Sequence, residues 1–339
     1  MDKLRVGMAG FGWFGRKHLS AWNEINNAEV VGVADVNIAA ITKSKEKSKQ
    51  SEFHAADEEY FEINFPTYKT VEELIKNEKL DVLDIVVDEK NHFQVAKYAL
   101  MNNVNIIVEK PFVIEYKHAM ELGKLAKSKN LDIYVGHVLR FDKRAQYIKS
   151  QIEKGDLGEI RYLSFKRNFQ PSAHLVYGRI NPFYGAMVHD IDLALWFTKK
   201  RVKEVYGKVK YLLKRSNPDV LVALLEFEKD ILCRIENIWH VSKTCPYGFE
   251  NEIAVYGSKA TSIQHNTPIV EIWGETKVEC PEFFLWPAVM GKRSGALKDM
   301  LEHYAECISK DKKSPLISLD EVIETVRIAE ILAKQTKSY

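Results

Sequence analysis

Apolar residues in the first half of the chain gather into short blocks: residues 4–9, 30–34, 81–87 (DVLDIVV), 105–108 and 131–135. Each block is strand-sized and rich in β-branched residues. Between them stand segments with helical spacing, at residues 17–25, 92–101 and 115–129. Strands that alternate with helices predict βαβ units and a parallel sheet covered on both faces.

The rhythm changes after about residue 155. Lys154-Gly155-Asp156-Leu157-Gly158 reads as a helix running out into a turn. Long strand-like segments follow at residues 160–169, 202–213, 220–227, 231–241 and 252–256, several alternating apolar with polar positions. Phe227-Glu228-Lys229-Asp230-Ile231 reads as a hairpin turn. One helix is expected over residues 188–198, and two close the chain, at 296–309 and 319–334. The pattern predicts an α/β Rossmann domain with a parallel sheet over residues 1–135. An α+β domain with a large, mostly antiparallel open sheet is expected over 136–339, its last helices packing back on the first domain. An open sheet face invites a second copy, so a homo-oligomer, dimer or tetramer, is expected.

Composition narrows the class. The 339 residues carry 49 basic and 47 acidic side chains, a net charge of +2, which lacks the basic excess of a nucleic-acid binder. Lys43, Lys45, Lys47 and Lys49 alternate with Ser44, Glu46 and Ser48, as on a solvated helix face. Cys233, Cys245, Cys280 and Cys307 form no C-x-x-C pair, so free thiols are expected. The N-terminus enters a strand at once, and no stretch is apolar enough to span a bilayer. A cytoplasmic protein with no membrane partner is the expectation.

The chemistry begins at Gly10-Phe11-Gly12-Trp13-Phe14-Gly15, a G-x-G-x-x-G placed between a predicted strand and a predicted helix. Gly10 permits the tight turn, Gly12 the approach of a pyrophosphate to the backbone, and Gly15 close packing of helix on strand. Asp35 follows twenty residues after Gly15, at the end of the second strand. A carboxylate there accepts ribose hydroxyls and repels a 2′-phosphate. Val36 and Asn37 come next, with no arginine, so NAD is expected over NADP.

Two further motifs stand out. Glu109-Lys110-Pro111 closes a predicted strand at the end that faces the ligand crevice. A lone lysine in a loop reads first as solvated surface. Beside a cationic nicotinamide, a partly desolvated lysine is able to take a proton from a substrate hydroxyl. His189-Asp190-Ile191-Asp192 opens a helix, where the histidine suits acid–base work and the aspartates suit capping and local ion pairs.

With Gly10 to Leu19, Asp35, residues 81–87 with His92, Glu109-Lys110-Pro111, Val135-Gly136-His137 with Arg140-Phe141, and His189 to Asp192, the chain resembles the glucose–fructose oxidoreductase and inositol dehydrogenase family, Gfo/Idh/MocA. The resemblance implies a Rossmann domain and a sheet-rich second domain. It implies hydride transfer between NAD(P) and a carbinol carbon of a sugar, polyol or related compound, with Lys110 catalytic and His189 its partner. The expected cofactor-binding set is Gly10, Phe11, Gly12, Trp13, Phe14, Gly15, Asp35, Val87, Asp88, His92, Glu109, Lys110 and His137. Tyr177, Arg179 and Tyr184 are candidate contacts for a carbohydrate or polyol substrate. The sequence departs from the family pattern at Gly185, where many members carry an aspartate, and at Asp88-Glu89, where a proline is usual. The first departure leaves two alternatives open: an NAD-binding regulator without turnover, and a glycosidase using bound NAD. His18 reads as a packed histidine, and His92 as support for the turn beneath the cofactor. The tract 282–287 reads equally as pocket wall, subunit contact or core. His174 and His189 lack metal-ligand spacing, so no metal is expected.

Overall fold

The computed structural model describes residues 3–37, 64–245, 248–265, 269–275 and 278–336. The lysine cluster at 43–49 lies outside the described residues. Two compact units divide the described residues, one built from 3–37, 64–141 and 284–323, the other from those within 142–283 together with 324–336.

In the first unit β1 (Leu4–Ala9), β2 (Ala28–Ala34), β3 (Thr67–Tyr68), β4 (Val82–Ile85), β5 (Asn105–Val108) and β6 (Ile133–Val135) form a sheet in the order β3-β2-β1-β4-β5-β6. Every pairing is parallel. The sheet's axis is dry: Val6, Met8, Val82, Leu83, Ile106 and Ile107 are all 0% exposed, which is why these strands read as near-continuous apolar runs, broken in β4 only by Asp84. Helices α1 (Trp13–Trp22), α2 (Val71–Asn77), α3 (His92–Met101) and α4 (Tyr116–Lys129) connect the strands. The first helix starts at Trp13, earlier than the apolar spacing from residue 17 suggests, because the glycine motif itself forms the helix's first turn. The sequence also missed β3 and α2. Two residues are too few to show a period, and α2 buries only Leu74. Its start is set by Thr70, whose side chain accepts the N–H of Glu73.

Helix α7 (Ala296–Ser309) also sits in this unit. Tyr304 donates to Val135 O at 2.9 Å and stacks on Tyr134, so β6 gains a cover. Arg140, fully buried, donates to Leu316 O at 2.7 Å and pairs with Glu321 at 2.6 Å. Gly123 of α4 leaves room for Ile323 and Leu319, at the start of α8 (Leu319–Gln335).

The second unit begins with α5 (Lys143–Lys154), capped by Asp142 and ended by Gly155 at φ +75°. Its sheet runs β12-β11-β7-β10-β9-β8, from β7 (Ile160–Phe169), β8 (Val202–Lys210), β9 (Val220–Phe227), β10 (Ile231–Ile238), β11 (Phe249–Gly257) and β12 (Thr261–His265). Only β7 and β10 pair in parallel, so the sheet is mostly antiparallel, as expected. Strand β8 ends at Lys210, not residue 213, because the Asp219 carboxylate takes the N–H groups of Leu212 and Leu213 and turns the chain. One face of the sheet packs on α6 (Val188–Thr198) through Phe165 and Phe197. The other carries Tyr206, Leu224, Leu232, Tyr256 and Ile263, all at least 38% exposed. No helix among the described residues is long and apolar enough to cross a membrane.

Candidate active site

The turn between β1 and α1 is built around its glycines. Gly10 adopts φ +95°, and a Cβ on it would come 2.6 Å from Val86 O at the end of β4. A Cβ on Gly15 would come 2.4 Å from Gly10 O. Gly12 differs: a Cβ there meets nothing within 4 Å. Gly10 and Gly15 therefore answer to packing, whereas Gly12 borders open space. Gly12 is also the N-cap of α1, a helix with no side-chain cap and no acidic residue in its first turn. Such an end favours an anion.

Asp35 lies just beyond β2. Its Oδ2 accepts the Phe11 N–H at 2.7 Å and its Oδ1 accepts the Asn37 N–H at 2.7 Å. Both neighbours after it, Val36 and Asn37, are exposed. Trp13 and Phe14 stack on one another, and Trp286 meets both edge-on at 6.4 and 5.3 Å between ring centroids. The aromatic tract at 282–287 is thus divided: Trp286 packs on α1 within the first unit.

The remaining first-unit candidates line the carboxyl ends of β4, β5 and β6. Val87 is half-buried and Asp88 exposed. Glu89, 8% exposed, begins a single 3-10 turn. His92 is buried, with Nδ1 2.8 Å from Pro111 O and Nε2 3.0 Å from Val87 O. It ties the turn after β4 to the turn after β5. Lys110 is half-buried and joined to Pro111 by a cis peptide bond. Glu109 is buried, and its Oε2 accepts the Lys110 N–H at 3.1 Å. His137 is buried after β6, its N–H donated to Val135 O.

Behind this edge lies a cluster that sequence reasoning did not assemble. His18, fully buried on α1, has Nδ1 2.9 Å from Asp84 Oδ2 and Nε2 3.4 Å from Glu109 Oε1. Trp22 donates to the same Asp84 oxygen at 2.7 Å. Burial by itself would lower the His18 pKa. The Asp84 carboxylate, and after it Glu109, more than offset that and raise it to about 10. The signal was present: an aspartate inside the apolar run DVLDIVV needs a buried partner.

The second unit holds the other candidates. His189 is half-buried on α6. Asp190, its neighbour, is fully buried and receives a two-pronged bond from Arg167 at 2.8 and 2.9 Å. Burial pushes the Asp190 pKa up, and the Arg167 guanidinium opposes that rise. Asp192 is fully buried as well. Gly185 ends the buried one-turn helix Pro182–Gly185, which contains Tyr184 at 8% exposure. Arg179 is exposed. The side chain of Tyr177 lies outside the described residues.

Residues 4–137 match the oxidoreductase family GFO/IDH/MocA, NAD-binding Rossmann fold, and residues 145–263 match the GFO/IDH/MocA C-terminal domain. The uncharacterized oxidoreductase YrbE of Bacillus subtilis is 23% identical over 329 residues, covering 94% of this chain and 90% of that protein. An inositol 2-dehydrogenase of Salmonella paratyphi B is 24% identical over 261 residues, covering 76% of this chain and 72% of its own. The structure of scyllo-inositol dehydrogenase from Lactobacillus casei with bound NAD(H) and scyllo-inositol superposes with a TM-score of 0.79. It is 17% identical, over 99% of this chain and 97% of that one. The chain belongs to the GFO/IDH/MocA oxidoreductases, with the family's NAD-binding Rossmann domain at its N-terminus and the family's C-terminal domain after it.

Proposed function

We propose that this protein is an NAD-dependent dehydrogenase that oxidises a secondary hydroxyl of a polyol, an inositol-like ring, a sugar or a sugar derivative. The observation that carries the reading is Lys110, set just past the carboxyl end of β5, next to Glu109, whose carboxylate reaches His18 on the glycine-motif helix α1. Its backbone is bonded on one side by Glu109 and flanked on the other by the Pro111–His92 contact. The inositol dehydrogenases among its relatives support the substrate class.

The residues present fit NAD. The open space at Gly12, the uncapped start of α1 and the Asp35 carboxylate match a pyrophosphate and an adenosine ribose in order. Gly10, Phe11, Gly12, Trp13, Phe14, Gly15 and Asp35 would hold the adenosine and pyrophosphate half. Val87, Asp88, His92, Glu109, Lys110 and His137 would border the nicotinamide half. Bound NAD supplies the acceptor for the hydride that leaves the carbinol carbon. Lys110, as its neutral amine, takes the hydroxyl proton while the C–H electron pair departs, leaving a carbonyl. We further propose that His189 assists proton transfer, as the family resemblance implies, and that Tyr184 and Arg179 contact substrate.

The open apolar face of the second sheet supports a homo-oligomer, and free thiols at all four cysteines suit a reducing, cytoplasmic setting. Light scattering at micromolar concentration tests the first; a monomer refutes it. The activity is tested by NADH absorbance with NAD or NADP against inositols, aldoses, sugar acids and nucleotide sugars. Turnover names the substrate class. Tight NAD binding with silence across the panel shifts the reading to a regulator, which Gly185 in place of the usual aspartate favours, or to a glycosidase that uses bound NAD.

A further inference from the structure

Two carboxylates from neighbouring strands converge on one imidazole in the dry interior of the first unit. Asp84 comes from the middle of β4 and Glu109 from the end of β5. These are the titratable groups that His18 meets: its Nδ1 lies 2.9 Å from Asp84 Oδ2 and its Nε2 3.4 Å from Glu109 Oε1. An imidazolium has two N–H groups on opposite edges: the Nδ1 edge is hydrogen-bonded to Asp84, while the Nε2 edge meets Glu109 as an ion pair at 3.4 Å outside hydrogen-bond geometry. A buried pair of carboxylates without a cation is costly.

The arrangement does more than fill the core. Glu109 Oε1 faces His18, while its Oε2 accepts the Lys110 N–H at 3.1 Å. On a third side, Gly136 has no side chain because a Cβ would lie 2.2 Å from Glu109 Oε1. The Glu109 carboxylate is therefore confined between α1, the turn after β6 and the backbone of Lys110 itself. The chain beyond is tied by His92 through Pro111 O at 2.8 Å. Lys110 stands between two anchored neighbours, one of them, Glu109, met by His18 in the second turn of α1.

We propose that His18 is a positioning residue: paired with Asp84, it fixes the Glu109 carboxylate, and through the Glu109–Lys110 bond it sets the backbone of Lys110. The inference rests on the reading of Lys110 as the proton acceptor. The high His18 pKa, about 10, agrees with a cation at working pH. A residue that only packs the core would act on stability alone; a positioning residue acts on Lys110 specifically.

The test uses the 339-residue chain and His18→Gln, which keeps a side-chain N–H donor and removes the charge. Amide exchange at Lys110, read by NMR, is expected to quicken about tenfold or more in the variant, while amides of β1 and β4 exchange as before. In wild type at pH 8, the 15N shifts of His18 are expected to report protons on both ring nitrogens. With the substrate identified by the NADH panel, kcat falls at least about tenfold and KM for NAD stays within about twofold. If His18→Gln does not fold, Glu109→Gln carries the same expectations for Lys110 exchange and for kcat. Unchanged Lys110 exchange in a folded variant, equal loss of protection across the sheet, or a neutral His18 ring at pH 8 each overturns the proposal. Lys110→Ala separates the two claims. If it is inactive while His18→Gln is unaffected, only the positioning role fails. If it is fully active, the reading of Lys110 fails first.

Discussion

The carboxylate of Asp35 lies 2.7 Å from the backbone nitrogen of Phe11 and accepts its N–H. The acidic residue that ends the second strand thus braces the glycine turn that follows the first. One oxygen holds Phe11 and the other Asn37, so the side chain is oriented before any ribose arrives.

Asp35→Ala is expected to weaken NAD binding at least about tenfold, the loss typical of hydrogen bonds to a charged acceptor. The NADP/NAD affinity ratio should rise in the same variant, since the repelling charge is gone. Fluorescence titration with both cofactors checks this. Unchanged affinity for NAD contradicts a ribose role.

The glycines separate by mechanism. Gly10→Ala places a methyl 2.6 Å from Val86 O at φ +95° and should cost about 1–3 kcal/mol or more in urea unfolding. Gly12→Ala points into open space and should leave the unfolding midpoint nearly unchanged while weakening NAD binding. Equal destabilisation by the two contradicts the division drawn here between packing and ligand approach.

His18 carries a pH signature. Its folded pKa, about 10, stands above the ordinary value of 6.5. Its contribution to stability is therefore complete below about pH 6.5 and fades as pH climbs towards about 10. Wild type should lose more stability than His18→Gln over that window, as read from Tm at steps of pH. Parallel curves would contradict a charged His18.

How much of this was legible beforehand follows from burial. The strands β4 and β5 are dry on both faces, so their apolar runs announced themselves, as did the helix His92–Met101. The alternation of buried and half-buried or exposed residues along β9 and β10 showed the second sheet with its open face. The glycine motif and Asp35 were legible because a phosphate turn demands a fixed spacing. Of the His18–Asp84–Glu109 cluster only Asp84's need for a partner was legible: the cluster's members are 66 and 25 residues apart in sequence (84 − 18 and 109 − 84), and only the sheet order brings them together. Arg167 escaped for the same reason, since it lies on a strand 23 residues before Asp190.

Arg167 and Asp190 form a buried, two-pronged pair. Arg167→Ala leaves Asp190 without its cation and is expected to cost about 3–5 kcal/mol. Arg167→Met with Asp190→Leu, which removes both charges and keeps the volume, should cost markedly less. Urea unfolding of the two variants decides, and equal losses in the single and double variants contradict the uncompensated-charge explanation.

The central claim is that Lys110 accepts the substrate proton in an NAD-dependent oxidation. NADH formation by purified protein against the polyol and sugar panel, with Lys110→Ala alongside, tests it most directly. Wild type should turn over, and the variant should be slower by about 10²- to 10⁴-fold with NAD affinity retained. Full activity of Lys110→Ala would contradict it.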